Sequence, residues 1–148
     1  MSDLKSLYQE IILEHYRKPR NFGPLEDAEH EAAGHNPLCG DRVKIFLNLD
    51  ADRVSDIRFE GAGCAISTAS ASLMTEAIKG KTVNEAKELF GHFRDMVTGL
   101  SDVGAQDLGK LEALAGVREL PVRVKCATLA WHTLQAALVD NSDPVSTE

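Results

Sequence analysis

The sequence has few features that would bind the chain to a membrane or to nucleic acid. It contains no run of about 18 apolar residues, the length that a membrane-spanning helix needs, and the polar segment 1–9 lacks the apolar stretch of a secretory signal. Its formal net charge of -7 opposes binding to phosphate backbones, and the short basic cluster of Arg17, Lys18 and Arg20 does not reverse that balance. We therefore expect a soluble cytoplasmic protein with neither a membrane nor a nucleic-acid partner.

Cysteine is also scarce, with three residues in a chain of 148. An odd number of cysteines cannot all pair, and a cytoplasmic protein keeps its thiols reduced, so we expect no disulfide framework. The three residues, Cys39, Cys64 and Cys126, are far apart in sequence and form none of the close pairs typical of zinc fingers. These observations favour thiolate chemistry or metal binding at a site that the fold assembles.

The pattern of apolar residues predicts a single domain, 1–140, followed by a polar tail, 141–148, that we expect to be disordered. The predicted class is α+β, with a small three-stranded antiparallel sheet packed against about four to six helices. Strands are predicted at 28–34, 43–49 and 54–60. Helices are predicted at 3–17, 64–79, 83–96, 108–115 and 122–139.

Local signals define several of these boundaries. Thr82 and Glu85 have the spacing of a capping box at the start of the helix 83–96, and Gly80 stands where a helix C-terminal glycine is expected. The segment 99–121 contains glycine at positions 99, 104, 109 and 116. We predict that this segment is a surface excursion with one short helical run.

Cys39 and Asp41 lie together in the turn-type sequence 36–41, before a predicted strand. Gly40, between them, permits an unusual backbone angle that would let both side chains point the same way. Cys64 falls where a predicted strand ends and a helix begins, so unpaired backbone N–H groups and the helix dipole would favour its thiolate. Each position suits a nucleophile or a metal ligand.

Cys126 stands early in the last predicted helix, just after Arg123 and Lys125, whose positive charges would also favour an ionised sulfur. Three thiolates and the carboxylate of Asp41 make a donor set that suits tetrahedral zinc. The same set could hold an iron-sulfur cluster, although such clusters usually have thiolate ligands alone. The residues by themselves also leave open that the cysteines are ordinary small buried side chains.

Three segments of the chain resemble a known family. The segments ILEHYRKPRNFG at 12–23, NPLCGD at 36–41 and GAGCAISTAS at 61–70 resemble the IscU/SufU (NifU N-terminal-like) iron-sulfur cluster assembly proteins. The resemblance spans nearly the whole chain and implies one NifU N-terminal-like (SufU) domain with a SufE/NifU-like fold. Lys125 stands where IscU-type proteins have histidine, and 99–121 resembles the SufU insertion, so the SufU branch is favoured.

The resemblance implies a zinc-dependent sulfurtransferase that accepts persulfide sulfur from a SufS-type cysteine desulfurase and relays it to a SufB-containing assembly complex. Cys39, Asp41, Cys64 and Cys126 match the zinc ligands of that family. Cys39 also matches the sulfur acceptor, and Arg123 matches an arginine that can pair with the aspartate ligand. We expect a monomer that forms transient complexes with these partners.

Two other functions remain open at this point. In the first, the same four residues bind a transient iron-sulfur cluster, and the protein is a scaffold that transfers the cluster to apo-proteins. In the second, zinc only stabilises the fold. Lys125 and the segment 99–121 favour sulfur transfer over scaffolding. The chaperone-binding sequence LPPVK of IscU is absent, so we do not expect delivery by an Hsp70-type chaperone.

Overall fold

The computed structural model describes residues 2–102, 108–139 and 145–146, and the fold is α+β as predicted. The α-helices are α1 (Ser2–Arg17), α2 (Ala65–Ile78), α3 (Val83–Val97) and α4 (Pro121–Leu138), and a 3-10 helix spans Gly109–Glu119. The strands are β1 (His30–Asn36), β2 (Asp41–Asp50), β3 (Arg53–Ala62) and β4 (Val145–Ser146). None of the helices within the described ranges is long and apolar enough to cross a membrane.

The sheet has the strand order β3-β2-β1-β4. The three predicted strands pair antiparallel, and β2 turns Val43, Ile45 and Leu47 into the core, as its alternating sequence predicts. The prediction of a three-stranded antiparallel sheet is corrected by β4, which pairs parallel with β1 and makes a mixed sheet of four strands. The free edge of β1 supplies the backbone groups that pair with β4.

The tail 141–148, predicted to be disordered, lies outside the described residues except for Val145 and Ser146. At these two residues the structure departs from the prediction, because they form β4 and Val145 packs against the hydrophobic core. A two-residue strand is too short to produce an alternating pattern that a sequence reading can detect.

Helix α4 crosses the inner face of the sheet and is joined closely to β1 and α2. At Gly34 of β1 a Cβ atom would collide with the side chain of Thr133, so only glycine lets the helix approach this closely. The Ser70 hydroxyl of α2 donates to the carbonyl of Ala127 at 2.6 Å and accepts the indole N–H of Trp131 at 3.2 Å. These contacts fix α2 against α4.

Part of the segment predicted as a surface excursion, residues 108–117, contributes to the core instead. In the 3-10 helix the side chains of Leu111, Leu114 and Val117 are buried, with Leu114 0% exposed. Their spacing of three residues places them on one face of a helix with three residues per turn. The short helical run predicted at 108–115 is confirmed by the 3-10 helix, but its placement at the surface was wrong. The glycines were interpreted as loop signals, although one apolar face recurs between them.

Candidate metal centre

The turn between β1 and β2 brings Cys39 and Asp41 together. The backbone N–H groups of Cys39 and Gly40 donate to the carbonyl of Asn36 at 3.3 and 2.9 Å, which closes the turn. Gly40 has φ +73°, a left-handed conformation that favours glycine, in agreement with the sequence prediction. Cys39 is half-buried in this turn, whereas Asp41 is 0% exposed.

Cys64 lies between β3 and α2, as predicted, and is the N-cap residue of α2. Its Sγ accepts the backbone N–H of Ser67 at 3.4 Å, so the positive end of the helix dipole acts on the sulfur. The backbone N–H of Cys64 donates to Oδ1 of Asp41 at 2.8 Å, and its Sγ lies 3.9 Å from Oδ2. The carboxylate is therefore fixed against the start of α2.

Cys126 enters the same place from α4 and is 0% exposed. Its Sγ lies 3.4 Å from Sγ of Cys39 and 3.8 Å from the carbonyl oxygen of Val122. The donor atoms of Cys39, Asp41 and Cys126 all lie within 4.8 Å of one another. These three residues, from three different elements, form what we call the donor cluster.

The donor cluster fits a tetrahedral cation. Two sulfurs on zinc, each bound at about 2.3 Å, lie about 3.8 Å apart in a tetrahedron, and the sulfurs of Cys39 and Cys126, 3.4 Å apart, would need to separate by about 0.4 Å. Cys64 lies beside the cluster, 3.9 Å from Asp41, but is not one of the three residues whose donor atoms are all mutually within 4.8 Å. Binding of all four residues to one ion stays a prediction.

The electrostatics of Cys126 differ from the sequence expectation. Arg123 and Lys125 were expected to favour the thiolate, but burial raises the pKa of the Cys126 thiol well above its usual range, and hydrogen bonds with Asp41 and Cys39 raise it further. A bound divalent cation would add positive charge to that of Arg123 and favour the thiolate form of Cys126. The chemistry of the cluster is therefore consistent with a metal site.

Arg123 is exposed at the edge of the cluster. A hydrogen bond to Cys126 raises the pKa of the Arg123 guanidinium, with further contributions from the charges of Cys64, Cys126 and Cys39. The guanidinium thus acts on the cysteine sulfurs. Its predicted pairing with Asp41 stays a prediction.

Two residues at this site have roles that the sequence did not indicate. Asn36 is 0% exposed, and its amide nitrogen lies 3.4 Å from Oδ2 of Asp41 and 3.5 Å from Sγ of Cys126. At Gly63 a Cβ atom would collide with the carboxylate and Cα of Asp41. Both residues belong to turn-like sequences near a cysteine, but neither sequence indicates a contact with Asp41.

Histidines do not contribute to the donor cluster in the part of the chain that the structure describes. His35, four residues before Cys39 in the sequence, is exposed on β1. His15 is 1% exposed and bonds to Ser72 at 2.7 Å through Nδ1, and His132 lies against the ring of Phe90.

Comparison with known proteins gives a consistent picture. The model of the NifU-like N-terminal domain matches residues 7–145. The zinc-dependent sulfurtransferase SufU of Bacillus subtilis (strain 168) is 47% identical over 134 residues, which cover 90% of this chain and 90% of that protein. The iron-sulfur cluster assembly scaffold protein IscU of Streptococcus pyogenes serotype M1 is 41% identical over 138 residues, with coverages of 93% and 86%.

Among solved structures, the chain is similar to an iron-sulfur cluster assembly scaffold protein for the SUF system from Fervidobacterium islandicum AW-1. The TM-score is 0.82 at 38% sequence identity, and the match covers 87% of this chain and 94% of that one. Similarity in sequence and in fold therefore extends over nearly the whole chain.

Proposed function

The chain belongs to the NifU-like N-terminal domain family, and from this premise we propose that it is a zinc-dependent sulfurtransferase of iron-sulfur cluster assembly. It accepts persulfide sulfur from a cysteine desulfurase of the SufS type and passes it to a SufB-containing assembly complex. The observation that carries the proposal is the donor cluster, in which a half-buried thiol is held against a buried thiol and a buried carboxylate.

Zinc is the metal that this donor set suits best. Two cysteine sulfurs with an aspartate oxygen and Cys64 nearby supply the mixed sulfur and oxygen ligands that tetrahedral zinc accepts. Zinc, when bound, would hold the cysteines as thiolates at neutral pH, which offsets the raised pKa of Cys126. The aspartate is less suited to an iron-sulfur cluster, whose ligands are usually thiolates alone.

The residues of this site have different roles in the transfer of sulfur. Cys39 lies in an exposed turn beside Leu38, which is 61% exposed, so its sulfur can be reached by a partner protein. Asp41 and Cys126 are 0% exposed and keep their positions. Arg123 supplies positive charge at the surface of the cluster, where negative charge moves between sulfurs.

The transfer step is a thiol-persulfide exchange. The Cys39 thiolate attacks the outer sulfur of the cysteine persulfide on the desulfurase, and a new S–S bond forms at Cys39. The S–S bond of the donor breaks, and its electron pair stays on the desulfurase cysteine as a thiolate. The step needs no external oxidant or reductant, since one persulfide is lost and one is formed.

The test measures the metal content of the purified protein and the turnover of a SufS-type desulfurase with and without it. We expect about one zinc per chain, a stimulated desulfurase, and a mass increase of one sulfur atom on Cys39. Cys39→Ala should abolish the stimulation, whereas Ser55→Ala, on the exposed face of β3, should leave it unchanged.

Each of the other results points to a different conclusion about the function. Full stimulation by a zinc-loaded Cys39→Ala variant would show that Cys39 is not the acceptor. A coloured protein that transfers an intact cluster to an apo-acceptor would instead make this chain a scaffold, as its relative in Streptococcus pyogenes is named. Zinc without either activity would leave a structural metal site.

A further inference from the structure

Asn36 occupies a buried position between two members of the donor cluster. It is the last residue of β1, pairs with Asp41 across the antiparallel ladder and is 0% exposed. A buried polar side chain is stable only when its donors and acceptors are satisfied, so each of its hydrogen bonds has a structural consequence.

The orientation of the Asn36 amide is fixed by the turn that follows it. Its Oδ1 accepts the backbone N–H of Leu38 at 3.3 Å. Because that partner can only donate, the oxygen must face the turn and the NH₂ group must face the donor cluster. The direction of the amide therefore follows from the hydrogen-bonding pattern.

The two hydrogens of that NH₂ group have two acceptors. The nitrogen lies 3.4 Å from Oδ2 of Asp41 and 3.5 Å from Sγ of Cys126. Both N–H donors of the amide are then used, and none remains for Cys39. The bond that joins Cys39 to Asn36 is from its backbone N–H to the Asn36 carbonyl, so it does not act on the sulfur.

These contacts distinguish the two sulfurs of the cluster. A hydrogen bond to a thiolate stabilises its charge and lowers its nucleophilicity, and groups that bond to metal ligands hold the ligands in position. Cys126 and Asp41 receive such bonds from one rigid side chain. Cys39 does not, and it is also the more exposed of the two thiols.

We propose that Asn36 is a positioning residue that keeps Asp41 and Cys126 bound to the metal and thereby directs reaction to Cys39. The inference rests on the proposed zinc-dependent function. It adds that the choice of the reactive sulfur depends on a side chain that is neither a ligand nor a nucleophile.

The test uses zinc-loaded protein and limited alkylation with iodoacetamide, followed by peptide mass spectrometry of each cysteine. In the unmodified protein Cys39 should react first. Asn36→Leu removes both N–H donors at similar volume, and we expect the ratio of alkylation at Cys39 to that at Cys126 to fall about tenfold or more. The rate of zinc loss to a competing chelator should rise by a similar factor.

A second variant guards against a folding defect. Asn36→Asp keeps the acceptor for the Leu38 N–H but loses the donors, so it should also reduce the selectivity for Cys39. Asn48→Leu removes a half-buried asparagine of β2 whose Oδ1 accepts the Glu29 N–H at 2.6 Å, away from the cluster, and should leave the alkylation order unchanged.

The outcomes separate this inference from the proposed function. Zinc content and sulfur acceptance of the unmodified protein test the function alone. Suppose that the unmodified protein satisfies both tests of function, and that a folded Asn36 variant is still alkylated by iodoacetamide at Cys39 and Cys126 in the ratio of the unmodified protein. That result would disprove the role of Asn36.

Discussion

The backbone of Gly63 lies directly against the side chain of Asp41. A Cβ atom at residue 63 would collide with the carboxylate and come within 3.0 Å of the aspartate Cα. The same carboxylate accepts the N–H of Cys64, the next residue, at 2.8 Å. The absence of a side chain at Gly63 is therefore what allows the loop before α2 to approach the donor cluster.

Gly63→Ala should displace the Asp41 carboxylate and weaken zinc binding. We expect the zinc affinity, measured by competition with a chelator, to fall about tenfold or more, and the free energy of unfolding to fall by about 1–3 kcal/mol. The control is Gly91→Ala in α3, where nothing lies within 4 Å of the added Cβ. That change should raise stability by about 0.5–1 kcal/mol and leave zinc binding intact. Unchanged zinc affinity in Gly63→Ala would contradict the expected displacement.

Metal-free protein should lose stability at alkaline pH because of Cys126. Burial raises the pKa of this thiol in the folded state, so above about pH 9 the unfolded chain releases a proton that the folded chain retains. The free energy of unfolding should then fall by about 1.4 kcal/mol per pH unit from this group. The measurement is denaturant unfolding at several pH values in the presence of reductant.

Cys126→Ala is the matched variant for that prediction. Without the thiol, the part of the alkaline slope that Cys126 contributes should disappear, although other titrating groups keep their own contributions. An identical slope in the variant and in the metal-free parent would show that the buried thiol is not the source.

The hairpin of β2 and β3 could be predicted from the sequence because its pattern is local. Apolar residues such as Ile45 and Leu47 alternate with polar ones, and period two alone assigns them to one face. Because the predicted strands and helices begin or end near Cys39 and Cys64, the sequence also predicted that both cysteines lie at element boundaries. Their meeting with Cys126 depends on tertiary packing, and the resemblance to a family, not the spacing, predicted it.

Other parts of the site depend on contacts that no local pattern encodes. Asn36 was identified as a turn residue, but its bonds to Asp41 and Cys126 join residues from three elements. The pKa of Cys126 was predicted in the wrong direction, because adjacent charges are visible in sequence and burial is not. Burial and long-range hydrogen bonds are thus the main features that required the structure.

The capping box at the start of α3 gives a prediction about stability alone. The Thr82 hydroxyl accepts the N–H of Glu85 at 3.1 Å, and the Glu85 carboxylate accepts the N–H of Thr82 at 2.9 Å. Thr82→Ala should lower the free energy of unfolding by about 1 kcal/mol. Thr98→Ala, at the other end of the helix, removes an exposed hydroxyl that bonds only to carbonyl oxygens and should change it by less than about 0.5 kcal/mol. Equal losses in the two variants would argue against a specific role of the N-terminal cap.

His15 links α1 to α2 and should make the protein sensitive to acid. Its Nδ1 lies 2.7 Å from the Ser72 hydroxyl, and its Nε2 lies 3.6 Å from the Glu76 carboxylate. Burial lowers the pKa of His15, with the positive charge of Arg20 next in effect, while the charge of Glu76 opposes the shift and that of Lys110 adds to it.

Because the folded-state pKa of His15 is lowered, the unfolded chain takes up a proton that the folded chain resists as the pH falls below about 6.5. The stability that neutral His15 provides is present above that pH and is lost below it. His15→Asn should lower the free energy of unfolding at pH 7.5, since it loses the packing of the ring, but should flatten the decline measured between pH 7 and 5. His35→Asn, an exposed change on β1, should leave the stability at pH 7.5 close to that of the parent. If the free energy of unfolding of His15→Asn declines between pH 7 and 5 as steeply as that of the parent, other groups cause the acid sensitivity. The contact that His15 makes between α1 and α2 would then be insensitive to pH.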